Sequence, residues 1–149
     1  MGARALINTM KRSPLITVVI VLQTLLGLSL AGLTVYLVLL ARSRETLAEP
    51  DAADTVRGLL IGALVLGIPA VITLIGAVGL WKGRFWGWAL TLATDVGMLA
   101  VFVYSIVGEN DYEAGEIAIG AGLVGLVGLL LLPKVRMHYW ERKTVLSLK

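Results

Sequence analysis

The stretch FWGWALTLATDVGMLAVFVYSIVG, Phe85 to Gly108, decides the fold, because its 24 residues hold a single charge-capable side chain, Asp95. Coiled as a helix it would be about 36 Å long, enough to cross a hydrocarbon core about 30 Å thick. Working outward, charged residues divide the rest of the chain into three more uncharged runs: Ser13 to Ala41, Gly58 to Trp81 and Ile117 to Pro133. The last is only 17 residues, but Asn110-Asp111 offers a cap from which a helix would start near Tyr112. Ser13-Pro14 reads as an N-cap followed by an N1 proline, and Asp51 and Asp54 place acids in the first turn of the second helix. The expectation is an all-α integral membrane protein, a four-transmembrane-helix bundle with helices at about 14–41, 56–81, 85–108 and 112–132 and a basic tail over 134–149.

Composition agrees. The 149 residues are 58% hydrophobic and 15% charged, with a mean hydropathy of +0.88, whereas soluble chains run about 45–50% apolar and about 25% charged. So few charges cannot cover a water-facing surface, and the same numbers exclude a disordered chain. The length suits one membrane domain, and the absence of cysteine removes disulfides, thiolate metal sites and cysteine nucleophiles. The apolar stretch from Pro14 to Leu40 is too long for a signal-peptide core, so a retained anchor is expected.

Basic residues resist translocation and set orientation. Arg4, Lys11, Arg12, Lys82, Arg84, Lys134, Arg136, Arg142, Lys143 and Lys149 would lie on one side; Arg42, Arg44 and Arg57 on the other, among Glu45, Glu49, Asp51, Asp54, Glu109, Asp111, Glu113 and Glu116. Both termini are therefore expected in the cytoplasm of a bacterial-type inner membrane. Trp81, Trp86, Trp88, Tyr139 and Trp140 would be anchors at the inner boundary, and Tyr36, Tyr104 and Tyr112 at the outer one.

In lipid, small residues that admit a close neighbour carry the packing information. Ala114, Ala118, Ala121, Gly125 and Gly128 recur at spacings of 4, 3, 4 and 3, so a neighbouring helix is expected close to the fourth helix there. Gly58 and Gly62 form a GxxxG on the second helix, where Gly62, Pro69, Thr73 and Gly76 share a face. These seams can close one bundle or pair it with another chain, and the spacing does not decide which.

Asp95 would sit about ten residues, roughly 15 Å, above the inner boundary. Gln23 on the first helix and Thr73 on the second reach a similar depth, so the three can form one polar layer. Trp88, Thr91, Asp95, Met98, Phe102 and Ser105 lie on one stripe that should face protein. An aspartate at a helix centre costs about 2.5–3.5 kcal/mol, which the apolar residues of the same helix offset by roughly 3–6 kcal/mol. No base lies in the spans to pair with it, so its carboxyl is expected to be protonated and bonded to Gln23 or Thr73. It could be polar glue between helices, a docking point for another subunit, or a proton or cation carrier.

Signs of catalysis are missing from the sequence. His138 is the single histidine, no nucleophile-base pair or phosphate loop is legible, and Gly83 between Lys82 and Arg84 reads as the turn of a tight helical hairpin. No enzyme activity, metal or cofactor is expected. The tail, with its bases and Val135, Met137, Tyr139 and Trp140, reads as an interfacial segment that meets anionic lipid rather than nucleic acid. The expected role is a structural or accessory subunit that packs against itself or other membrane subunits. The alternative is a small, homodimeric proton- or cation-coupled transporter with Asp95 as the titrating group.

Overall fold

The computed structural model describes residues 14–48, 51–109 and 114–147. Among them every regular element is a helix: α1 Pro14–Ala41, α2 Arg44–Leu47, α3 Ala52–Trp81, α4 Phe85–Glu109, α5 Ala114–Leu131 and α6 Pro133–Ser147. Three of these, α1, α3 and α4, are each long and apolar enough to cross a membrane, and α5 with α6 makes a fourth if that bent pair is one span. The expected start of the last span at Asn110 to Tyr112 lies outside the described residues.

The sequence explains most of the breaks. Pro14 opens α1, where its missing N–H would have had no partner. After α1, Thr46 Oγ1 donates to the Leu40 carbonyl at 3.0 Å and ties the single turn of α2 back to the helix end. Asp51 precedes α3 without a side-chain capping bond, and Pro69 lies inside that helix. Between α3 and α4 the chain reverses in three residues. Gly83 has φ 66°; its N–H donates to the Leu80 carbonyl at 2.9 Å and the Arg84 N–H to the Gly79 carbonyl at 2.9 Å. This paired 5→2 and 6→1 bonding is a Schellman cap, which needs the left-handed conformation glycine adopts without strain. Leu132 and Pro133 end α5, and the axis turns by 52° into α6.

Helix α1 packs most extensively against α3, α3 next against α4, and α5 mainly against α4 with only slight contact to α1. The α1–α3 contact uses glycines: a Cβ at Gly27 would meet Leu74 Cγ at 2.8 Å, and one at Gly67 would meet Thr34 Cγ2 at 3.1 Å. An apolar core of Ile16, Val19, Ile20, Leu80, Leu130, Val135 and Tyr139 gathers the start of α1, the end of α3 and the α5–α6 elbow at one end of the bundle. Lys82, Arg84, Lys134 and Arg136 therefore sit at that same end.

Elsewhere the distribution is inverted. Leu25, Leu28, Leu39, Leu64, Val71 and Val101 are each more than half exposed, while Gln23, Thr73, Thr91 and Asp95 are wholly buried. A soluble bundle does the reverse; apolar side chains outside and polar ones inside is the arrangement of a membrane domain.

Candidate functional site

The site is built from three helices. Asp95 and Thr91 lie one turn apart on α4, Gln23 on α1 and Thr73 on α3, each with no exposed surface. Gln23 Nε2 donates to Asp95 Oδ2. The antiparallel register of α3 and α4 brings Thr73 to the same level. Gly79 lies against Gly87, and one turn on Gly76 lies against Thr91; a further turn carries Thr73 opposite Asp95.

Threonines elsewhere in the spans are self-contained. Thr24, Thr34, Thr91 and Thr94 each donate to the carbonyl four residues back, at 2.8, 2.8, 2.7 and 2.9 Å. The Thr73 hydroxyl makes no such bond. It shares that condition with Gln23 Oε1 and Asp95 Oδ1, so three buried oxygens from three helices lack a partner at one depth. A buried polar atom without a partner costs about 1–3 kcal/mol, which makes this layer the place where the fold departs from simple packing.

The inward stripe on α4 extends beyond this layer: Trp88, Met98 and Phe102 are half-buried, whereas Ser105 is exposed. Trp88 differs from an interfacial anchor. Its Nε1 donates to the Leu130 carbonyl at 3.0 Å, tying α4 to the end of α5, just before the helix breaks at Leu132 and Pro133. Trp81, Trp86 and Trp140 are exposed on the outside of the same end. Phe85 brings the aromatic groups together, its ring centroid 5.4 Å from Trp88 and 5.6 Å from Trp140.

No protein-family model matches the chain, and no curated protein or solved structure matches it either.

The small-residue seams divide. Ala118, Ala121, Gly125 and Gly128 are exposed, and a Cβ at Gly122, Gly125 or Gly128 would meet nothing within 4 Å, so among the described residues no helix packs closely there. The side-chain surroundings of Ala114 lie outside the described residues. On α3, Gly58 faces open space and Gly62 meets only Leu37 Cδ1, at 3.6 Å. The physical reason is register: α5 turns Gly120 toward α4, where its Cβ would collide with the Phe102 ring, and this rotates the heptad stripe outward. An apolar groove of about 490 Å³ runs beside that stripe between α1 and α5, lined by Leu22, Leu26, Ile119, Leu123, Leu126 and Leu129. A second, of about 580 Å³, follows the α1–α3 contact from Thr34 to Ile72. Neither is lined by Asp95, Gln23 or Thr73.

The tail also differs from the interfacial segment expected of it. Val135 and Tyr139, one turn apart on α6, are completely buried, and the Tyr139 hydroxyl donates to the Leu80 carbonyl at 3.3 Å. That face belongs to the bundle. The opposite one, with Lys134, Arg136, Met137 and Trp140, is exposed.

Sequence reasoning missed Gly79, Gly87 and Gly120 as close-approach positions and Tyr139 as a core residue. Gly79 and Gly87 flank the hairpin turn four residues on either side of Gly83, a symmetry that signals backbone contact.

Proposed function

We propose that this chain is a four-span protein of a bacterial-type inner membrane, with both termini cytoplasmic, acting as a structural or accessory subunit without catalysis of its own. The observation that carries the reading is the outer face of α5. A helix whose alanines and glycines recur at heptad spacing yet have open space before them is shaped for a second helix. The Gln23–Asp95 hydrogen bond ties α1 to α4 behind that face, and the exposed bases of α6 suit anionic lipid headgroups. The partner is another copy of the chain or a subunit of a larger membrane assembly.

A proton- or cation-coupled transporter using Asp95 is the second reading, favoured by the buried carboxyl. Purification in mild detergent followed by native mass spectrometry separates the two. Stoichiometric foreign subunits, or a self-association lost when α5 glycines are enlarged, support the accessory role. A monomer that drives pH-dependent flux across liposomes overturns it.

Orientation has its own test, made simple by a chain without cysteine. Gly2→Cys and Lys149→Cys should resist an impermeant maleimide applied to intact cells, and Asn110→Cys should react. Labelling of one terminus alone would mean an odd number of spans, with α5 and α6 not crossing.

A further inference from the structure

The three partnerless oxygens raise a question that helix packing does not answer: what group would satisfy all of them at once. Gln23 Oε1 is an amide carbonyl, Thr73 Oγ1 a hydroxyl and Asp95 Oδ1 one arm of a carboxyl whose other arm already accepts from Gln23 Nε2. A donor or cation among them must serve oxygen lone pairs from α1, α3 and α4 together. It must also answer one formal negative charge, because no Lys, Arg or His occurs anywhere in 14–41, 58–81, 85–108 or 117–133. A water molecule meets the first requirement only. A divalent ion overshoots the second by one charge in a low-dielectric setting, and calcium takes six to eight oxygen ligands, usually with several carboxylates. Among the described residues no group of three His, Cys, Asp and Glu side chains converges that could hold a transition metal.

We infer that Asp95, Gln23 and Thr73 form a binding site for a small monovalent cation, Na+, which takes the place of the carboxyl proton and bridges α1, α3 and α4. The chemistry is hard oxygen on a hard, singly charged ion, with all three oxygens buried and without a partner. This goes beyond the accessory role, since an ion bound here stabilises the bundle whether or not the protein has a partner. Proton and ion compete for one carboxyl. The other described ionisable side chains on these helices, Tyr36 on α1, Asp54 and Arg57 at the start of α3 and Tyr104 on α4, are all exposed, so the competition belongs to Asp95.

The experiment is cation protection of Asp95 from dicyclohexylcarbodiimide, an apolar reagent that adds to protonated carboxyls, with the full chain in detergent and adduct read by peptide mass spectrometry. At neutral pH, about 100 mM NaCl should slow labelling at least about fivefold relative to equal choline chloride, and KCl should protect less. The Na+ concentration for half-protection should fall about tenfold for each unit rise in pH until the carboxyl is ionised, as single-site competition requires. Thr73→Val should still be labelled but lose most of the protection, and Asp95→Asn should not be labelled at all. Equal labelling rates in NaCl, KCl and choline chloride across the pH range overturn the site and leave Asp95 a proton-bearing residue. That result comes from the wild-type chain and does not depend on any variant folding. It also leaves the accessory reading standing, because partner binding is measured separately.

Discussion

The α3–α4 hairpin and α5 are both rich in glycine, yet glycine does opposite things in them. At the hairpin, Gly79 and Gly87 face each other, and a Cβ on Gly79 would lie 2.6 Å from the Gly87 Cα. On α5, a Cβ at Gly122, Gly125 or Gly128 would meet nothing within 4 Å among the described residues, and Gly122 and Gly125 line the open groove toward α1. A small residue allows close approach only where a neighbour takes the space. The hairpin brings its own neighbour through a three-residue turn, whereas α5 depends on whatever lies beyond the molecule.

The largest effect is therefore expected at the hairpin. Gly87→Val would drive a branched side chain into the Gly79 Cα and the Leu80 amide, backbone atoms that cannot swing aside. Overpacking usually costs about 1–3 kcal/mol, and backbone against backbone belongs at or above the top of that range. The variant should lose most of its folded, monodisperse population in detergent on size exclusion. Gly27→Ala is the comparison: there the atoms inside 3 Å are Cγ and Cδ2 of the Leu74 side chain rather than backbone, so a smaller loss of about 1–2 kcal/mol is expected. If the two behave alike, the hairpin is looser than its geometry implies.

Next comes the elbow, where α6 returns to the same end of the bundle. Tyr139→Ala empties a wholly buried ring site beside Leu80 and Leu130 and should cost about 3–5 kcal/mol. Tyr139→Phe keeps the ring and loses only the 3.3 Å bond to the Leu80 carbonyl, so about 1 kcal/mol is expected. Thermal unfolding in detergent orders the two. A Tyr139→Ala chain as stable as wild type would return α6 to the lipid surface, where a tail so rich in bases and aromatics is otherwise expected to lie.

These two regions show what was legible in the sequence and what was not. Apolar runs broken by charges located α1, α3 and α4, because the hydrophobic length of a span is a property of the segment itself. That Asp95 would find Gln23 or Thr73 followed from depth, since helices anchored at the same boundary hold residues at equal heights; that the bond comes from Gln23 did not. Helix rotation was not legible. Whether the Trp88 nitrogen turns to the boundary or to the Leu130 carbonyl, and whether α5 shows α4 its heptad stripe or Gly120, depends on a few tens of degrees that spacing leaves free. The burial of Tyr139 was hidden for a related reason. A tyrosine near a boundary satisfies its hydroxyl equally well with a headgroup or with a carbonyl at a helix end, and only the 52° elbow decides between them.

The smallest effect on the single chain is expected on α5, and its sign carries the argument. Gly125→Ala and Gly128→Ala add a methyl group where nothing lies within 4 Å, and alanine favours a helix over glycine by about 1 kcal/mol. Thermal stability of the isolated chain should stay level or rise by up to that amount. Association should move the other way, because a methyl group on each of two facing turns holds two helices apart. Crosslinking in membranes of Gly125→Leu against wild type reads this directly: loss of the crosslinked species with an unchanged monomer means the stripe is an interface. A drop in monomer stability from Gly125→Ala would instead mean that α5 rotates in the bilayer to turn its stripe inward. The groove between α1 and α5 would then be filled by the chain itself, and the difference between hairpin and α5 would vanish.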